Sequence, residues 1–413
     1  MSAPACIPLS RLVADATRPD VALFLPTLYS GGAERVQLNL ARYFLGRGLR
    51  VDLVVCKYFG SLKDQVPEGV RLVSLDARKV MFSAPAYLRY LRIARPSVVL
   101  SSVENAAIIS CVGKMLSSHR HRLLVRLDNS LSEPGVLPLQ MHRWPVMTAI
   151  ASTFHAADAF IAVSGGLKEQ LGRLPGLGAK PIRRIYNPII HDGFEAQAEQ
   201  APVLPPSIKL GEPFVLAVGR LHKQKGYTHL LQAFARVVKQ RPSHLIILGE
   251  GHDREELQGL ASSLGIASHV HFLGYVPNPL AYMRHAAVFV LSSLAEGFGN
   301  VIVEALACGT PVVSTDCPHG PREILSDGRY GTLVRVGDAD ALAQAIVAKL
   351  NVPKPPVSEE LKEHLRLFSI ETIGKSYIEA LGLRSGAMPQ NAPVQTVVCA
   401  THQEPTLSTP SYP

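Results

Sequence analysis

At 413 residues with 47% hydrophobic content, the chain exceeds what one core usually supports and carries enough apolar side chains for two. No apolar run reaches the roughly 18 residues of a membrane-crossing helix. The opening MSAPACIPLSRLVADATRPD has no apolar centre of the kind a secretory signal needs, so a cytoplasmic protein is expected. A formal charge of +9 bears on partners rather than fold. An anionic membrane surface, a diphosphate-bearing substrate and plain solubility all fit it. Nucleic acid is not expected, because there is no cysteine-histidine finger, basic dimerising helix or aromatic stacking platform. The six cysteines, Cys6, Cys56, Cys111, Cys308, Cys317 and Cys399, form neither a metal-type pair nor a disulfide framework, and no metal site is expected.

In chain order, Val21–Leu25 reads as a strand, followed by the glycine pair Gly31 and Gly32 and then by AERVQLNLARYFLGRG, with apolar residues at helical spacing. RVDLVVC, RLVSLD, SVVLSS, HRLLVRLD and AFIAVS are further strands separated by helical or mixed segments. A second series starts at PFVLAVG and runs through SHLIILGEG, VHFLGYV, AAVFVLSS, TPVVSTD and GTLVRVG. Its intervening helices are YTHLLQAFARVVKQ, REELQGLASSLG, NVIVEALACG and DALAQAIVAKL. Strand-then-helix alternation predicts an α/β protein with mostly parallel sheets covered on both faces. The expected organisation is an N-terminal domain over 18–200, a proline-rich linker, a C-terminal domain over 211–368, a last helix over 369–384 and a disordered tail over 385–413.

Ligands of such sheets sit beyond the carboxyl ends of the strands, which directs attention to the loops there. GRLHKQKG places Gly219, Arg220 and Lys225 after one strand, a planar fork and a point charge suited to a diphosphate; a solvated basic loop is the plainer account. Glu250 follows the next strand between two glycines and reads equally as an exposed turn residue. In AEGFGNVIVEALACGTP, Glu296 precedes a helix start whose amides on Phe298, Gly299 and Asn300 suit oxygens or anions. Glu304 lies one turn inside the helix among apolar neighbours, where an unpaired carboxylate is costly. The loop TDCPHGPREIL offers His319 and Arg322 to the cleft for sugar-side or acceptor-side specificity and Glu323 as a helix cap; an ordinary rigid connector is the alternative. In the first half, Arg126, Asp128 and Asn129 end a strand, Glu104 is the other acid-base candidate, Glu34 can cap the helix after the glycine pair, and His155 reads as structural.

Together these residues resemble the retaining glycosyltransferase family 4, of GT-B architecture, in which two Rossmann-like domains face one interdomain cleft. The likeness covers residues 20–380. It rests on Gly31-Gly32-Ala33-Glu34, Gly219-Arg220 with Lys225-Gly226, Tyr186-Asn187-Pro188, and Glu296 and Glu304 with seven residues between. The resemblance implies metal-free sugar transfer from a nucleotide-sugar with retention at the anomeric carbon. It assigns Arg220 and Lys225 to the donor diphosphate, Glu296 and the amides of 298–300 to the sugar, Glu304 to the ribose, and Gly31 and Gly32 to the diphosphate in the closed state. The Asp-Cys-Pro-x-Gly-Pro run is similar to that of members using UDP-sugars in lipid-linked oligosaccharide or lipopolysaccharide assembly. Asp128 stands where many members have a histidine thought to act through its backbone carbonyl.

The implied chemistry needs no cofactor and no enzymic nucleophile. The acceptor hydroxyl approaches on the leaving-group face and a donor phosphate oxygen takes its proton. The expected acceptor is a saccharide or a polyprenyl-diphosphate-linked saccharide. The basic and apolar run MFSAPAYLRYLRIAR, with Arg89, Arg92 and Arg95, is read either as a membrane-surface helix or as an ordinary helix packed on the sheet. A UDP-sugar epimerase of similar build and a non-catalytic sugar-nucleotide-binding protein are the competing functions.

Overall fold

Short apolar runs bounded by glycines and polar loops become strands that are buried from end to end, as parallel sheets covered on both faces require. The computed structural model describes residues 6–12, 18–29, 31–129, 152–209 and 211–384. Among these, the first sheet contains β1 (Ile7–Pro8), β2 (Val21–Leu25), β3 (Val51–Val55), β4 (Arg71–Ser74), β5 (Val98–Ser102), β6 (Arg122–Leu127), β7 (Ala159–Ala162) and β8 (Ile182–Arg184), in the order β1-β4-β3-β2-β5-β6-β7-β8. The second contains β9 (Phe214–Val218), β10 (His244–Leu248), β11 (Val270–Gly274), β12 (Val288–Leu291), β13 (Val312–Thr315) and β14 (Thr332–Val334), in the order β11-β10-β9-β12-β13-β14. Every pairing is parallel; Leu23, for example, lies between Leu53 and Leu100. The edge strands β1 and β8 were not anticipated from the sequence. Each has only two or three residues, too few for a hydrophobic alternation to register.

The helices foreseen in the second half form over Tyr227–Gln240, Arg254–Ser263, Asn300–Ala307 and Ala339–Leu350. Gly309 follows the third of these in the left-handed conformation, at φ +69°, that a glycine adopts without a Cβ penalty. Helix Ala84–Ala94 turns Tyr87, Tyr90, Leu91 and Ala94 into the core, where Tyr87 stacks on Phe24 at 4.5 Å. That settles which face of MFSAPAYLRYLRIAR is occupied. Its apolar side is spent on the fold, while Met81, Phe82, Arg89, Arg92 and Arg95 remain exposed.

The two halves meet through an aromatic cluster. The ring of Tyr186 lies 5.4 Å from Phe298 and 5.2 Å from Phe368, and the last two are 5.8 Å apart. Phe298 and Phe368 are almost wholly buried, and full burial of such a ring is worth about 1.5–3 kcal/mol. Helix Ile370–Leu381 lies on helix Gly32–Gly46. Gly374 abuts the Tyr43 ring so closely that a Cβ would collide with it, and Glu371 pairs with Arg47 at 2.6 Å. The tail over 385–413 is outside the described residues.

Candidate functional site

The loop after β9 and the loop after β12 are stitched together by their backbones. Leu294 N–H donates to Gln224 O at 2.8 Å, and Ser292 Oγ donates to Lys225 O at 2.8 Å. Gly226 has φ +63° and rests directly on the Ser292 carbonyl, leaving no room for a Cβ. These constraints deliver Lys225 Nζ to Glu296 Oε1 at 2.5 Å, and Ser293 Oγ donates to the same oxygen at 2.5 Å. Glu296 is only 7% exposed, so its charge depends on these two donors. Gly219 begins the loop and packs beside Lys225 and the Tyr227 hydroxyl. Arg220 is exposed and makes no ion pair among the described residues. Glu250 is also exposed. Its backbone carbonyl accepts from Leu221 N–H at 2.8 Å and braces the Arg220 loop, while its carboxylate lies toward Gly274.

At the start of helix Asn300–Ala307, Gly299 takes φ +99° and acts as the N-cap without a side-chain bond. The amides of Phe298, Gly299 and Asn300 have no hydrogen-bond acceptor among the described residues, which suits them to a ligand oxygen. Only the amide of Phe298 is offered, since its ring belongs to the aromatic cluster. Glu304 is partly buried and has no hydrogen bond or ion pair among the described residues. Burial pushes its carboxyl up, an effect only partly offset by Arg35 on the first turn of the facing helix Gly32–Gly46. Such a carboxylate gains from a ligand that brings hydroxyl donors.

The N-terminal half forms the opposite wall. A Cβ on Gly32 would stand 2.9 Å from Asn300 Nδ2, so two helix starts face each other where that glycine admits them. Asn187 Nδ2 donates to Asn300 Oδ1 at 2.7 Å, and the wholly buried Arg126 donates to Asn187 Oδ1 at 2.6 Å. Arg126 also pairs with Asp128. Burial pushes the Asp128 carboxyl up, and Arg126 partly offsets this. The Asp128 side chain is therefore turned inward, while its backbone carbonyl is packed against Gly297 so tightly that a Cβ there would overlap it.

Lys225 with Glu296, Asp128 with the 296–300 loop, and Gly32 with Asn300 are thus brought together. Gly31 covers the Glu34 carboxylate, and Arg220 faces Glu34 across the cleft. The loop TDCPHGPREIL behaves differently from a cleft-facing specificity loop at Arg322, which pairs with Asp316 and, at 3.4 Å, with Asp327 in its own segment. Glu323 does cap a helix, but one in the other half: it accepts from Gly165 N–H at 2.8 Å, from Tyr186 Oη at 2.7 Å and from Arg184 at 2.7 Å. Tyr29 and Phe59, in the loops after β2 and β3, are half-exposed with rings 6.2 Å apart. Nothing in their local spacing links two residues thirty positions apart.

Residues 30–192 match the model described as Glycosyltransferase Family 4, and residues 205–365 match Glycosyl transferases group 1. The phosphatidyl-myo-inositol mannosyltransferase of Mycobacterium leprae is 32% identical over 339 residues, 72% of this chain and 86% of that protein. The chain belongs to glycosyltransferase family 4. A Campylobacter jejuni relative, N-acetylgalactosamine-N,N'-diacetylbacillosaminyl-diphospho-undecaprenol 4-alpha-N-acetylgalactosaminyltransferase, is 28% identical over 346 residues, 81% of this chain and 91% of the relative. Among solved structures, Anabaena HepE in complex with UDP and glucose superposes with a TM-score of 0.71 at 19% identity, covering 88% of this chain and 100% of that one. The fold of this glycosyltransferase is accordingly GT-B, and an epimerase is not favoured.

Proposed function

We propose that this glycosyltransferase moves a hexose or N-acetylhexosamine from a UDP-sugar, with retention and without a metal, to a lipid-linked or free saccharide. The observation that carries the reading is the Lys225–Glu296 pair set beside three helix-start amides and a Glu304 carboxylate that have no hydrogen-bond partner among the described residues. Lys225 and Arg220 offset charge on the departing diphosphate, as preorganised cations do in a site that need not reorganise. Glu296 and the amides of 298–300 orient the sugar, with the Asp128 carbonyl on its other side, and Glu304 accepts from the ribose hydroxyls. A donor phosphate oxygen takes the acceptor proton, so no residue of the chain acts as nucleophile. The backbones of Gly31 and Gly32 approach the diphosphate from the opposite wall.

UDP is supported by its presence in the structure of HepE, and a lipid-linked acceptor by the undecaprenol named in the Campylobacter relative. No described helix is long and apolar enough to cross a membrane. Peripheral attachment to an anionic inner membrane surface is supported by the exposed Met81 and Phe82 next to Arg89, Arg92 and Arg95. Thermal-shift measurements against UDP, GDP, ADP and their sugar conjugates test the donor, and NMR of the transfer or hydrolysis product tests retention. A shift with UDP-sugars and an α-configured product are expected. Stabilisation by another nucleotide alone, or an inverted product, refutes the corresponding part. Flotation with phosphatidylglycerol vesicles at low and high salt tests attachment, and no binding at either salt removes it.

A further inference from the structure

One acidic side chain in the cleft has no part in the reading above. Glu34 lies in the first turn of helix Gly32–Gly46, and its carboxylate folds back over Gly31, where a Cβ would run into Oε2. It bonds its own backbone N–H at the helix start. The charged groups that face it are Asp128 and Arg126 at the end of β6 and Arg220 on the loop after β9, so it stands between the two walls of the cleft. Burial pushes its carboxyl up to about 7. The backbone bond opposes this, Asp128 adds to it, and Arg220 and Arg126 oppose it.

A diphosphate drawn to Arg220 brings further negative charge to this carboxylate and takes up the cation that faces it. Two anions in a partly dry cleft repel strongly. Protonation relieves the repulsion and also converts Glu34 from a pure acceptor into a donor, the hydrogen-bonding role a phosphate oxygen requires. We propose that Glu34 is a further donor-binding residue, which as the neutral acid hydrogen-bonds the diphosphate of the nucleotide-sugar, so that binding takes up one proton from solvent. The proposal rests on the reading of Arg220 as a diphosphate ligand.

The test is calorimetric titration at about pH 8 in buffers of different ionisation enthalpy. The ligand is whichever of UDP-glucose, UDP-N-acetylglucosamine and GDP-mannose binds most tightly at pH 6; their diphosphate diesters do not titrate in this range. Uptake approaching one proton is expected, with affinity falling up to about tenfold per pH unit above pH 7. In Glu34→Gln both the uptake and the slope disappear, while affinity at pH 6 stays within a few-fold of wild type. Binding at pH 8 without proton uptake overturns the proposal from wild-type protein alone, whether or not the variant folds. An unchanged slope in the variant does so too. Failure of all three ligands to bind at pH 6 overturns the donor reading itself, and this inference with it.

Discussion

Lys225→Ala separates a structural ion pair from a catalytic one. The pair is largely shielded, with side-chain exposures of 17% for Lys225 and 9% for Glu296. Removing the lysine leaves Glu296 with Ser293 Oγ as the one side-chain donor to its carboxylate among the described residues. Breaking a buried pair at one end costs about 3–5 kcal/mol, and the remaining hydroxyl puts the expectation at about 3 kcal/mol. For a domain of this size that is a fall in Tm of about 6–12 °C. If Lys225 also neutralises the leaving diphosphate, kcat falls by about 10²–10³ in protein that is still folded at the assay temperature. The double variant Lys225→Ala/Glu296→Gln discriminates, because it no longer buries an uncompensated charge. Its Tm should return to within a few degrees of wild type, while turnover of UDP-sugar, followed by release of UDP, stays low. Turnover that recovers in step with Tm, or folded Lys225→Ala within a few-fold of wild type, would show that the pair serves the fold alone.

Asp128→Asn and Gly297→Ala should part company. The first leaves the buried Arg126 without its anion and lowers stability by about 3 kcal/mol, yet keeps the carbonyl and most of kcat. The second forces the 296–300 loop off that carbonyl and lowers kcat at least tenfold with a smaller Tm change, as steady-state rates and melting curves will show. Glu34 supplies a pH-dependent term in the ligand-free protein. Its carboxyl at about 7 against the ordinary 4.5 means that the folded state holds a proton the unfolded chain releases. Its stability contribution is complete below pH 4.5 and is lost as pH rises through 7. Glu34→Gln should therefore raise stability by up to about 3 kcal/mol at pH 8 and leave it unchanged at pH 4. Glu323→Ala removes the cross-domain cap on helix Gly165–Gly172 and should cost about 2 kcal/mol. Hydrogen exchange should quicken at Gly165 and its neighbours but not in helix Tyr227–Gln240.

How much of this was legible beforehand depended on how local the signal was. Period-2 and unbroken apolar runs produced β2 to β7 and all of β9 to β14, because burial on both faces leaves a mark within each segment. The sequence also placed Lys225, Glu296 and the 298–300 amides correctly after their strands, since post-strand loops of one sheet necessarily share an end. What it could not supply was orientation across the two halves. Asp128 and Arg126 are two residues apart on one strand end, yet their side chains pair with each other and it is the Asp128 carbonyl that packs on the 296–300 loop. Glu323 reads as a helix cap, but the helix start it holds, at Gly165, is more than 150 positions away. Asn187 appears as part of a pre-linker tripeptide, and only in three dimensions does it join Arg126 to Asn300. Each of these contacts crosses the cleft or borders it. The residues that decide whether the cleft is preorganised for transfer are therefore those whose partners no local pattern encodes; glycines at 226 and 297 mark where backbones from distant segments must touch, and Gly32 where the Asn300 side chain must fit.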